Sequence, residues 1–227
     1  MNKRNYNFLI VGFFGAVLLA IGDWLIGFIN PQQIRNSIIL VEGCNQIGYD
    51  RPVLSMLVAI IGSMLCTISM YKLSQVILAE KLRKIYKISV ILGSVHWLFI
   101  HFAFCGFRLI YQYLWDALYF DIAVNCVDYA TKAFTPLFYL SCGFIFIPFI
   151  IYFIAIILKK TIIPKWTACF FMLTFSIIFK IIARCIGQSN LANGFSTASN
   201  NMGIALWFLC TWIYIKKKTI TTPCFHS

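Results

Sequence analysis

Charge of either sign is scarce in this chain: charged residues make up only 11% of it, and acidic side chains number seven against nineteen Lys and Arg. A soluble domain carries about a quarter charged residues, so a water-facing globular surface is excluded. The nine cysteines show no CxxC or Cys/His ligand spacing, which argues against a zinc site. His96 and His101 are five residues apart, about 140° around a helix, and cannot readily chelate one ion, so no metal site is expected. The Gly-rich phosphate loop, the GxSxG elbow, HExxH and the dinucleotide fingerprint are all absent, which excludes ATP-driven work by this chain alone and implies no cofactor.

Apolar residues are what the chain has in abundance, 61% hydrophobic and 17% aromatic, with a mean hydropathy of +0.84. A bilayer core about 30 Å thick needs about 20 apolar residues per helical crossing. Only helices satisfy their own backbone there without an exposed edge. The predicted fold is all-α, a single transmembrane domain over 1–227 with about six spans near 8–29, 53–78, 88–107, 134–158, 166–186 and 198–215. The last is the weakest, because Asn200 and Asn201 lie in its first turns. The first run follows Lys3 and Arg4 as a signal peptide would, but it is longer than the usual apolar core of about 7–15 residues, so a retained helix is expected.

The formal charge of +12 does not point to nucleic acid, because the cations sit in short runs between apolar segments instead of on a basic face. Lys3, Arg4, Lys72, Lys81, Arg83, Lys84, Lys87, Lys159, Lys160, Lys165, Lys216, Lys217 and Lys218 fall at one end of the predicted spans. Short cytoplasmic loops collect Lys and Arg, so both termini are expected in the cytoplasm and the membrane is read as a bacterial cytoplasmic membrane. Arg35, Arg51, Arg108, Lys132, Lys180 and Arg184 lie toward the other end, with every acidic residue but Glu80.

The first outer connection, 30–52, carries Asn, Gln, Gly and Pro with Glu42 and Asp50, and reads as an ordered or semi-ordered loop. In the second, Tyr111, Trp115 and Tyr119 recur every four residues among Asp116, Asp121 and Asp128. That spacing predicts an amphipathic segment over about 109–130 lying at the outer interface. Cys44, Cys105, Cys126 and Cys185 fall on or near that side, where an oxidising compartment allows pairing, and no pairing is singled out.

Polar groups inside the spans are the informative ones, since a charge at mid-membrane costs several kcal/mol unless it is paired or wet. At about 1.5 Å per residue, Asp23, His101, Lys180 and Asn201 all lie roughly 20 Å above the basic end, in one outer-leaflet layer. His101 with Arg108, and Lys180 with Arg184, share helix faces that rise to the outer surface. The expected site is an outward pocket built from Asp23, His101, Arg108, Lys180, Arg184 and Asn201. Its cationic surplus suits a small anionic or lipidic ligand. Alternatively, Asp23 pairs with Lys180 or His101 to hold helices together while Lys180 and Arg184 reach toward lipid headgroups.

Three readings of function follow. The first is a binding or transport-type protein using that pocket. The inner half of the spans is almost purely apolar, with only Cys66, Thr67 and Ser69 as polar candidates on the second span, which speaks against ion passage. The second is a membrane-embedded enzyme acting on lipid or isoprenoid substrates, with His96 or His101 as acid/base, Asp23 orienting it, and Ser63 or Ser141 as nominal nucleophiles. The third is a structural or assembly subunit. Membrane lipid is the expected surrounding partner, and oligomeric state is left open.

Gly22-Asp23-Trp24-Leu25-Ile26-Gly27, Val95-His96-Trp97-Leu98-Phe99-Ile100-His101 and Phe195-Ser196-Thr197-Ala198-Ser199-Asn200-Asn201-Met202-Gly203 together resemble the pattern of an uncharacterised family of bacterial multi-pass membrane proteins. That pattern has Gly-Asp ending the first span, a histidine in the third and an asparagine opening the last. The resemblance implies a six-helix inner-membrane protein of unknown function with Asp23, His96 and Asn200 or Asn201 as the matching positions. It favours His96 where the depth argument favours His101.

Overall fold

The computed structural model of the chain describes residues 6–29 and 48–221, with side chains as far as Lys217. Lys3, Arg4, Arg35, Glu42 and Cys44, the side chain of Lys218, and the first outer connection apart from its last residues lie outside the described residues. Six α-helices make up the fold: α1 (Phe8–Gly27), α2 (Asp50–Leu73), α3 (Glu80–Asp116), α4 (Phe120–Ile157), α5 (Met172–Ile186) and α6 (Asn190–Thr221). Short 3-10 turns, Ser74–Val76 and Lys165–Phe170, follow α2 and precede α5. There is no strand among the described residues, only an isolated bridge between Ile77 and Thr161.

Five stretches are long and apolar enough to cross a membrane: Phe8–Gly27, Asp50–Val76, Glu80–Asp116, Phe120–Ile157 and Lys165–Ile186. α6 is not among them although it has 32 residues, because Asn193, Ser196, Thr197, Ser199, Asn200 and Asn201 dilute its first half. Of these, Ser199 and Asn201 are buried against neighbouring helices, Asn193 and Thr197 are half-buried, and Ser196 and Asn200 are exposed; α6 packs along both α1 and α5.

The tightest seam is that of α1 with α2. Buried positions fall at Leu9, Gly12, Ala16, Leu19, Gly22 and Ile26 on α1 and at Ser55, Ala59, Gly62, Cys66, Ser69 and Leu73 on α2. These steps of three and four residues are the stripe that two helices share when they lie side by side. Small residues let the backbones meet: a Cβ on Gly15 would stand 2.8 Å from Gly62 O, and one on Gly62 would stand 2.7 Å from Gly15 O. In lipid there is no hydrophobic gain from pairing two apolar helices, so close packing of this kind supplies the attraction.

α3 and α4, with 37 and 38 residues, are each about 55 Å long and exceed the span of a bilayer core. The segment 109–130 is therefore no separate surface helix. Its first part continues α3 to Asp116, its last part begins α4 at Phe120, and a turn with Leu118 at φ 65° joins them. The four-residue spacing read as an interfacial face is in part the seam of this hairpin: Tyr111 stacks on Trp115 at 5.6 Å, and Ala123, Val127 and Phe134 pack into the same cluster as Tyr111.

At the opposite end the two connections hold one another. Leu78 N–H donates to Lys160 O at 2.8 Å, Ile162 N–H donates to Val76 O at 3.1 Å, and Arg83 donates from Nε and Nη2 to Ile77 O at 2.9 and 2.7 Å. Lys81, Lys84, Lys87, Lys159 and Lys165 belong to this end. Around the bundle the helices follow one another as α5, α6, α1, α2, α3 and α4.

Gly62→Leu drives a side chain into the α1 backbone and is expected to destabilise the protein by about 1–3 kcal/mol. A lowered melting temperature in detergent, with helical content kept below the transition, is the readout. An unchanged melt would mean that α1 and α2 are not in contact at this point.

Candidate functional site

Asp23 lies one turn before the end of α1, His101 and Arg108 two turns apart on one face of α3, and Asn201 in the third turn of α6. Packing brings them to one place. Asn201 Nδ2 donates to Asp23 Oδ2 at 2.6 Å, and His101 Nδ1 stands 3.7 Å from Asp23 Oδ1. Arg108 Nη1 donates to the carbonyl of Ile26. Arg108, at 1% exposure, is among the largest fully buried side chains, and His101 and Asn201 are each 5% exposed.

His101 Nε2 lies 2.9 Å from Ser55 Oγ, whose hydroxyl donates to Gly22 O at 2.8 Å. A hydroxyl has one proton to give, so Ser55 accepts from His101, which places a proton on Nε2 and leaves Nδ1 toward Asp23. The Nδ1 to Oδ1 gap is longer than a hydrogen bond. A donor group set between the two would satisfy both.

Serine to histidine to aspartate is the connectivity of a hydrolytic triad. Here it does something else. Ser55 is fully buried, its proton is engaged by Gly22, and it does not line the cavity described next. It fixes the ring of His101. Ser63 and Ser141, the serines singled out from sequence, sit elsewhere: Ser63 donates to Ile60 O within α2, and Ser141 Oγ lies 3.0 Å from His96 Nδ1. His96 itself stacks on Phe144 of α4, with ring centroids 4.4 Å apart, so of the two histidines it is His101 that reaches the bundle interior.

A cavity of about 680 Å³ opens beside these groups, within the range of about 300–1,000 Å³ common for ligand sites. One wall is polar, formed by Asp23, His101, Arg108, Asn193, Ser196, Thr197, Asn200 and Asn201. The wall given by α4 is apolar, with Phe138, Cys142, Ile145, Phe146 and Phe149. Two polar atoms at the site, Arg108 Nε and Asn201 Oδ1, are buried without a hydrogen-bond partner among the described residues. Toward the basic end the cavity is closed by rings. Trp207 lies 5.6 Å from Phe149, 5.3 Å from Tyr152 and 6.1 Å from Phe171.

Lys180 is exposed and stands at the cavity's edge. Arg184, one turn further on, does not line the cavity. It borders a neighbouring outer groove of about 900 Å³ between α5 and α6, which shares Lys180, Asn193 and Ser196 with the cavity. The six residues of the expected pocket thus divide into a cluster of half-buried Asp23 with buried His101, Arg108 and Asn201, and an exposed lip of Lys180 and Arg184. The buried Cys105 thiol donates to Ser55 Oγ at 3.8 Å, while Cys126 and Cys185 are exposed and form no disulfide among the described residues. Among the described residues no group of three His, Cys, Asp or Glu side chains is placed to hold a metal ion. A second, smaller cavity of about 230 Å³ at the basic end is lined mainly by aromatic and aliphatic side chains, with Lys217 as its one charge.

Sequence reasoning missed Ser55 and Gly22. The signal was present as the small-residue stripe of α2, which begins at Ser55, but a serine in such a stripe reads as packing until its partner across the seam is known.

The contact between Asp23 and Asn201 ties α1 to α6. Asp23→Ala and Asn201→Ala are each expected to cost about 1–3 kcal/mol by stranding the remaining partner. The double variant should cost less than the sum, with a coupling of about 0.5–3 kcal/mol. Thermal or denaturant unfolding of the four proteins measures this, and strict additivity would show that the two side chains do not interact.

A family model described as a family of unknown function, DUF6796, matches residues 1–218. No curated protein and no solved structure matches the chain. The match agrees with the coarser part of the resemblance drawn from the sequence, a family without an assigned activity. With nearly its whole length matched, the chain belongs to this family of unknown function, DUF6796.

Proposed function

We propose that the protein is a multi-pass membrane protein that holds a small anionic or lipidic ligand in the cavity between α1, α3, α4, α5 and α6. The observation that carries this reading is Arg108: a guanidinium at 1% exposure whose Nε has no partner among the described residues and which lines the cavity. Taking such an ion out of water costs several kcal/mol unless paired groups repay it. Among the described residues that line the cavity the one carboxylate is Asp23, which is already engaged by Asn201 and faces His101. An anionic group on the ligand completes the set, and Lys180 at the edge adds to the attraction.

Binding is favoured over passage, because the rings gathered on Trp207 block the way toward the basic end. The sixth helix is taken as a span as well, its polar residues turned to protein and cavity, where intramembrane polar groups are tolerated. The clustering of cations at one end supports both termini in the cytoplasm, in a bacterial cytoplasmic membrane. A reporter fused to the C-terminus tests this orientation: green fluorescent protein should fluoresce and a periplasm-dependent phosphatase should stay inactive, and the reverse pattern would overturn it.

A second reading, an enzyme acting on lipid or isoprenoid substrates, rests on His101 as acid/base beside the cavity, facing Asp23 and with its ring held by Ser55. It holds if His101→Gln abolishes turnover of a bound lipid while leaving its binding intact.

Native mass spectrometry of the gently solubilised protein beside Arg108→Gln tests the main reading. A bound species in the parent that is at least about tenfold depleted in the variant is expected. If neither protein retains a ligand and the variant only melts earlier, Arg108 serves packing alone and the third reading, a structural or assembly subunit, takes its place.

A further inference from the structure

The helices of the bundle form a ring with one incomplete seam. Each consecutive pair from α5 through α6, α1, α2 and α3 to α4 is packed along a shared face, whereas α4 and α5 have no comparable seam among the described residues. They are joined at the basic end, where α4 meets the turn Lys165–Phe170 and Phe153 lies 5.0 Å from Phe171. Above that point the cavity has no packed helix pair closing its α4–α5 side. Both flanking helices belong to stretches apolar enough to cross a membrane, so this side faces acyl chains.

The two walls of the cavity sort by polarity in a way that matches one kind of molecule. The α4 wall offers rings and aliphatic groups, while the α1, α3 and α6 walls offer Arg108 Nε as an unmet donor and Asn201 Oδ1 as an unmet acceptor. Lys180 stands at the edge of the cavity, with Arg184 beyond it in the adjoining groove. Resting on the reading of the cavity as a ligand site, we propose that its occupant is an anionic membrane amphiphile. This amphiphile passes from the bilayer between α4 and α5, its chain lies along α4, and its oxyanion headgroup is held by Lys180 and Arg108. A hydroxyl or amine on the headgroup meets Asn201 Oδ1.

The shared chemistry is an oxyanion, which a lipid headgroup or free phosphate would each supply. Delipidated full-length protein in detergent is therefore titrated with phosphatidylglycerol, with phosphatidylcholine of the same chains, and with inorganic phosphate, and bound species are read by native mass spectrometry. Phosphatidylglycerol should bind about tenfold more tightly than phosphatidylcholine, and inorganic phosphate should not be retained. Lys180→Gln, at an exposed position that does not threaten folding, should weaken phosphatidylglycerol severalfold. Cys142→Trp, which fills the α4 wall and leaves the polar groups in place, should abolish it.

Three results overturn the proposal. Retention of inorganic phosphate with no preference for phosphatidylglycerol would mean access from water, and the cavity would stand as an anion site without its membrane route. Equal lipid binding by the parent, Lys180→Gln and Cys142→Trp would put the lipid on the outer surface of the bundle. Binding of neither species, with Arg108→Gln changing only the melting temperature, would remove both this inference and the reading on which it rests.

Discussion

A buried guanidinium and a single carboxylate set the terms for the outer half of this bundle. Arg108 of α3 reaches the carbonyl of Ile26 at the end of α1, and Asp23, three residues earlier, takes a hydrogen bond from Asn201 of α6 and faces His101 of α3. Three helices meet at two positions on α1. In a medium without water, ions at this depth must find partners or neutralise, so the angles and offsets of α1, α3 and α6 are constrained together. Ser55 extends the constraint to α2 by holding His101 while its own proton goes to Gly22 O.

The inner half depends on shape. Gly15 and Gly62 let α1 and α2 approach until a Cβ on either would meet the other's backbone, and Gly203 does the same for α6 against α5, where a Cβ would stand 2.5 Å from Met172 O. Between α4 and α6 the ring of Trp207 packs on Phe149 and Tyr152, beside the smaller cavity at the basic end. Tight contact on one side of the ring contrasts with the loosely joined α4 and α5 on the other, and the cavity lies between the two. A site that receives something from lipid needs this asymmetry: a rigid polar wall to recognise, and a side that is not sealed.

Much of the helix pattern was legible in the residues, because apolar length and backbone self-satisfaction act locally. The limits of that legibility are physical. The run over 88–107 reads as a span because hydropathy detects what lipid touches, yet α3 runs on from Glu80 to Asp116, carried past the apolar window by cross-hairpin packing of Tyr111 and Trp115 against α4. α6 reads as the weakest span for the converse reason, since hydropathy counts Asn193, Asn200 and Asn201 as polar whatever they face, and in the fold all three line a cavity, with Asn201 buried.

Chain composition and spacing by themselves determined an all-helical architecture with stretches apolar enough to cross a membrane, the gathering of cations at one end, and the distance along their helices at which Asp23, His101, Lys180 and Asn201 lie, since each follows from apolar length and helix rise. Only the tertiary structure decided which polar groups meet. It turned His101 inward and His96 against Ser141 and Phe144, gave Ser55 the part that no spacing assigned to it, and separated Arg184 from the buried cluster. Depth along a helix is a one-dimensional quantity that the sequence carries. Rotation about the helix axis and the choice of neighbour are settled only when all the seams close at once.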